Sequence, residues 1–176
     1  MTEPITEVME PRQTSRQLLS ALARRIHAQH LTTGAKASLR RGSRHEVVRQ
    51  AAFHLVSSHI PEYEMQSDIS TRWAAIAQCI ALSGTGSPSA SHDGAALAGA
   101  GLSESRFARL LASHGDGMLD QLLLVARFLH SKDVSLGWSE LGELALSDER
   151  YEERADRARL GLARDYYRAL NDRPAK

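Results

Sequence analysis

Arg40, Arg41 and Arg44 stand close together around Gly42 and Ser43. A guanidinium offers a rigid fork of donors that matches phosphate oxygens, and it stays charged at physiological pH. Where a loop meets a helix start, free backbone N–H groups join it, and the combination suits a phosphate. The same residues also suit a solvated turn beside a capping box, so the surroundings decide. Those surroundings are basic. From Pro11 to Gln50 the chain holds nine basic residues (Arg12, Arg16, Arg24, Arg25, Lys36, Arg40, Arg41, Arg44 and Arg49) against one acid, Glu46. The whole chain of 176 residues carries a formal charge of only +1. A strongly basic stretch inside a near-neutral chain points to a surface that meets nucleic acid. Arg24, Arg25, Lys36, Arg40, Arg41, Arg44 and Arg49 are its expected contacts. Arg106 and Arg109, spaced i, i+3, share one helix face. With Arg127 and Lys132 they extend the basic surface toward the C-terminus.

Other chemistry is thinly supported. The eight histidines include His27 and His30 at i, i+3, with His54 and His59 in the next helical segment. A zinc site needs three or four converging ligands with supporting hydrogen bonds. No HExxH occurs, and carboxylates near these histidines are few, so surface or boundary histidines are expected and no metal. The single cysteine, Cys79, excludes an internal disulfide and reads as a buried small hydrophobe. Arg49 and His54 match R-x4-H, the signature of helical HEPN ribonucleases. Arg40 with His45 and Arg25 with His30 match it too, which shows how cheap the pattern is in an Arg/His-rich stretch. Ser103, Ser105 and Ser113 lack a nucleophile's context. There is no Gly-rich phosphate loop of Walker or Rossmann type. The expectation is a chain without catalytic residues and without a cofactor.

The elements that must position these residues are helical. Hydrophobic content is 42% and aromatic content 5%, with Ala and Leu dominant, which favours an all-α fold. Leu18, Leu19, Leu22 and Ile26 follow helical spacing after Ser15 as a cap. Residues 31–42 read as a loop or broken helical turn. Ser43 and Glu46 form a capping box for a helix carrying Val47, Val48, Ala51, Leu55 and Val56. A third helix starts near Asp68 or Ser70 and places Trp73, Ile76, Ala77 and Ile80 on one face. Residues 83–94 are rich in Ser and Gly and read as a linker. Beyond it, AALAGAGL is at best a short helix. Ser103 caps a helix through Phe107, Leu110 and Leu111, and Asp116 opens the strongest helix of the chain. Trp138, Leu141, Leu144 and Leu146 suggest a short helix after Gly137, and a last one runs from about Asp148 to Leu170. The organisation expected is a disordered lead-in (1–14), a basic N-terminal lobe (15–82), the linker (83–94) and a C-terminal helical lobe (95–176). Trp73 and Trp138 are expected in the core. No apolar run approaches a membrane span, and the acidic N-terminus lacks an apolar signal-peptide core. A soluble, cytoplasmic protein is expected, with no membrane partner.

Four blocks, ASLRRGS (37–43), GLSESRFARLLAS (101–113), LLLVARFLHSKDVSLGW (122–138) and ARDYYRAL (163–170), occur in an order and spacing that resemble CasB. CasB is the small subunit of the type I-E CRISPR surveillance complex Cascade. The resemblance covers most of residues 15–170. It implies an all-helical, two-lobed, non-enzymatic subunit, present in two copies beside the guide-RNA backbone. Such a subunit helps hold the R-loop, above all the displaced non-target DNA strand, through basic surface residues. The partners implied are the other Cascade subunits, a second copy of the chain, crRNA and single-stranded or target DNA. By motif, the matching residues are Arg40, Arg41, Arg106 and Arg127. The chain departs from the family in reading HDGAAL (92–97), with Ala95 where an arginine is expected, and Ala126-Arg127 where paired basic residues are common. Two rivals remain on the residues alone: a HEPN-type ribonuclease, and a helical DNA-binding regulator with a helix-turn-helix around residues 43–80.

Overall fold

The stripe of Leu18, Leu19, Leu22 and Ile26 is the buried face of the first helix, α1 (Ser15–His27). Its cap is Thr14 rather than Ser15. The Thr14 N–H donates to Gln17 Oε1 at 2.8 Å and the Thr14 hydroxyl accepts from the Gln17 N–H, which makes a capping box one residue earlier than expected. The computed structural model describes residues 14–28, 31–83 and 92–172, with Ser67 described by its backbone alone. The expected lead-in up to Gln13, His30, and residues 84–91 of the Ser/Gly-rich stretch lie outside the described residues.

Residues 31–42 differ from the sequence reading. They form a second helix, α2 (Thr33–Arg40), capped by the Thr32 hydroxyl accepting from Ala35 N–H at 3.1 Å. Leu39, fully buried, supplies the burial that offsets the cost of Gly34. The expected long helix after Ser43 is split into α3 (Arg44–Val47) and α4 (Ala51–Ser57). Between them Arg49 and Gln50 donate to carbonyls only three residues back, at 3.1 and 3.0 Å. That tight turn lets Val47, Phe53 and Val56 all face the core. A 3₁₀ turn over Glu62–Glu64 follows.

The central helix is α5 (Ser67–Leu82). Every residue from Trp73 to Ala81 is buried, so it is enclosed on all sides, as a helix apolar all round must be. It packs against α1, α2 and α3, and against α8 (Gly115–Ser131) and α9 (Ser139–Ser147). The remaining helices are α6 (Asp93–Ala100), α7 (Glu104–Ala112) and α10 (Glu152–Asn171). The described residues thus form ten helices and no strand, and the fold is all-α. Their buried apolar side chains make one cluster that includes both tryptophans and Cys79. The Cys79 thiol is pushed up to about 12 by burial, and it is inert as a nucleophile.

Two close approaches set the C-terminal packing. A Cβ on Gly94 would meet the backbone carbonyl of Leu162, so α6 and α10 touch backbone to backbone. A Cβ on Gly142 would meet the Leu19 side chain at 2.6 Å, where α9 crosses α1. The starts of α6 and α9 cap one another. Asp93 Oδ2 accepts from the N–H groups of Glu140 (2.9 Å) and Leu141 (3.1 Å), while Glu140 Oε2 accepts from Asp93 N–H at 3.0 Å. Burial pushes the Asp93 carboxyl up to about 6, against the opposing pull of those N–H donors. Trp138, which precedes α9, has the left-handed φ of 54° and is held there by burial and by its indole N–H, which donates to Ser83 Oγ at 3.1 Å.

Candidate nucleic-acid interface

Helix α7 is amphipathic. Phe107 and Leu110 turn inward, so Arg106 and Arg109 project to solvent. Ser113 and His114 reverse the chain, and α8 returns against α7. Its inward stripe, Met118, Leu122, Val125 and Leu129, leaves Arg127 exposed. The two helices enclose a cleft of about 470 Å³ lined by Arg106, Arg109 and Arg127, with Gln121, Leu124, Phe128 and Ser131 among its walls. Among the described residues none of the three guanidiniums has a hydrogen bond or an ion pair. Leu124 is 52% exposed there. Lys132 lies with Nζ 6.0 Å from the Phe128 ring centre, close to the same cleft. Three unneutralised guanidiniums beside an exposed apolar wall hold the two components of single-strand binding, charge for the backbone and a surface for bases.

The N-terminal basic residues divide by what they touch. Arg24, Arg41 and Arg49 are exposed and, among the described residues, unpaired. Lys36 is half-buried and also without a partner there. Arg25 donates to Ser58 Oγ at 2.9 Å, and with Arg24 it lines a groove of about 590 Å³ between α1 and α4. Arg40 commits its Nε to the Ala81 carbonyl at 2.6 Å, satisfying one of the last carbonyls of α5. Arg44 bridges to Asp116 and Asp120, each at 2.8 Å, so its charge is already matched by carboxylates of α8. Gln78 Nε2 donates to Gly42 carbonyl at 2.9 Å and fixes the turn that carries Arg41.

These bonds relate the two basic groups. Asp120 and Arg127 stand seven residues apart on α8, hence on one face, roughly 10 Å apart along the axis. Arg44, held on Asp120, therefore brings the Arg40-Arg41-Gly42 turn to the face of α8 that leads to the arginine cleft. Sequence reasoning named the arginines but missed Gln121, Leu124, Phe128 and Ser131. The apolar Leu124 and Phe128 carry no charge signal in the sequence, and only the α7–α8 pairing shows them at the rim. The Arg/His pairs are unremarkable: neither Arg40 with His45 nor Arg49 with His54 is hydrogen-bonded, and both histidines are exposed.

The family model for CRISPR-associated protein Cse2 matches residues 35–167. The chain belongs to the Cse2 family. Cse2, also called CasB, is the small subunit of type I-E Cascade, and membership makes this chain a Cascade subunit in CRISPR defence. The Cse2 match takes in the LRRG turn, the arginine cleft and α10 up to Tyr167, whereas Arg24 and Arg25 precede it. Cse2 is a structural subunit family, not known as catalytic. Neither a curated protein nor a solved structure matches this Cse2 chain. No helix among the described residues is long and apolar enough to cross a membrane.

Proposed function

We propose that this Cse2 chain is a non-catalytic nucleic-acid-binding subunit that lines the crRNA and target path and holds the displaced non-target strand of the R-loop. The observation that carries the reading is the cleft of Arg106, Arg109 and Arg127, charged, exposed and, among the described residues, without carboxylate partners. In RNA-guided recognition base pairing reads the sequence, and protein has only to stabilise shape and the expelled strand. Sequence-blind cations beside apolar side chains serve that task, and base-edge readers do not. Arg41 and Arg49 extend the surface, and the exposed Arg24 and Arg25 extend it further. The near-neutral net charge of the whole chain suits contact with other Cascade subunits and with a second copy of the chain, in the cytoplasm.

The test uses Cascade reconstituted with crRNA and a target duplex. Replacing Arg106, Arg109 and Arg127 together by alanine should leave assembly intact. It should shorten the R-loop lifetime and expose the displaced strand to a single-strand nuclease. Unchanged lifetime and unchanged protection in an assembled complex would overturn the reading.

A further inference from the structure

His92, Glu140 and Asp165 converge from three helices. His92 precedes α6, Glu140 lies in the first turn of α9, and Asp165 lies in α10. His92 Nδ1 is 2.8 Å from Glu140 Oε1 and 3.7 Å from Asp165 Oδ2. The three ligand atoms fall within 4.8 Å of one another. Nitrogen and oxygen ligands held about 2.1 Å from one metal ion stand roughly 3 Å apart, so small side-chain adjustments bring all three to bonding distance.

The other oxygens of the two carboxylates accept from neighbouring donors. Glu140 Oε2 accepts from Asp93 N–H at 3.0 Å, and Asp165 Oδ1 accepts from Arg164 Nε at 2.8 Å. Arg164 Nη2 also reaches Asp165 Oδ2 at 3.2 Å, a longer contact that an incoming cation replaces. Orientation of each ligand through its second atom is what a metal site requires.

Burial and solvent access differ among the three ligands. The Glu140 and Asp165 side chains are 10% and 6% exposed, and the adjoining Asp93 is also buried. Arg164 is ion-paired with Asp165, and the charges of Arg168 and Arg16 also act on this group of three carboxylates. The imidazole, 65% exposed, leaves the solvent side open for a cation to arrive and for waters to complete its shell.

We propose that His92, Glu140 and Asp165 bind one divalent transition-metal ion, with Zn²⁺ or Mn²⁺ the class that suits one imidazole and two carboxylates. Bound there, the ion ties the starts of α6 and α9 to the middle of α10.

The test is calorimetric titration of the chelator-stripped full-length chain with ZnCl₂ and with MnCl₂, alongside thermal melts. One equivalent should bind saturably and raise the melting temperature. His92→Ala removes an exposed side chain and should leave the fold intact. It should weaken binding at least tenfold, roughly what loss of one ligand brings, and abolish the thermal shift. Asp165→Asn should do the same wherever it folds. The absence of saturable binding overturns the proposal. So does binding that His92→Ala leaves unchanged, which would mean an adventitious ion on other histidines only.

Discussion

The guanidinium of Arg44 lies 2.8 Å from the carboxylate of Asp120, across 76 residues of chain. Arg44 also meets Asp116, and its side chain is only 17% exposed. A residue from the most basic stretch of the chain thus joins α3 to α8. Arg44 and Asp120, cycled through single and double alanine variants, should show a coupling of about 0.5–1 kcal/mol in chemical denaturation. Zero coupling would show that the pair does not hold α3 on α8.

Arg40 and Arg41 are neighbours with different surroundings. Arg40→Ala leaves the Ala81 carbonyl without its charged donor and should lower stability by about 1–2 kcal/mol. Arg41→Ala, at an exposed position, should stay within about 0.5 kcal/mol. Equal melting curves for the two variants would contradict the difference.

The arginine cleft makes a salt-dependence prediction. Single-strand affinity, followed by anisotropy across a salt series, should fall in Arg106→Ala, Arg109→Ala and Arg127→Ala alike. Each lost phosphate contact should flatten the slope of log affinity against log salt by about 0.7. The loss should be the same for all sequences. A variant that weakens one sequence selectively would point to base readout instead.

Asp148 sets an acid limit on stability. Its carboxylate is buried and accepts from Gly115 N–H at 2.7 Å, His114 Nδ1 at 3.0 Å and the Arg159 guanidinium. Burial alone would raise this carboxyl, but the Gly115 N–H, Arg159 and His114 together hold it below the ordinary range. A depressed carboxyl contributes stability above its unfolded value of about 3.9 and loses it as pH falls through the lower folded value. The native chain should therefore lose stability below about pH 4. Asp148→Asn should be less stable by about 1–3 kcal/mol at neutral pH and show a flatter acid limb. Parallel pH profiles for the two proteins would refute this.

Gly94 offers a packing test. Gly94→Ala sets a methyl against the Leu162 carbonyl, which is backbone and cannot swing aside. A loss of about 1–3 kcal/mol is expected, as for overpacked core sites. Gly99→Ala on the same helix, where a Cβ meets nothing within 4 Å, should be neutral or stabilising. Equal effects would mean that α6 and α10 are not in backbone contact.

What could be read in the chain beforehand follows the range of the interactions. Apolar stripes are local, so α1, α5, α8 and the buried Trp73, Trp138 and Cys79 were legible. Arg106 and Arg109 share a face by spacing alone, and that was legible too. Helix α2 was hidden because Gly34 and the threonines before it resemble a loop, while the burial of Leu39 comes from distant neighbours. The break between α3 and α4 depends on a three-residue turn that no single residue marks. Arg44 reads as a free cation in sequence, since its carboxylates stand more than seventy positions away. His92 and Glu140 are separated by 48 positions, so no motif joins them. Only the packing of α6, α9 and α10 does.

Ser83 is bonded to Trp138 and Asp93 to Glu140, so the last residue before positions 84–91 and the helix just after them are fastened to the same end of α9. The end of α5 and the start of α6 thus share one anchorage on α9. Displacing that end of α9 therefore loosens α5 and α6 together.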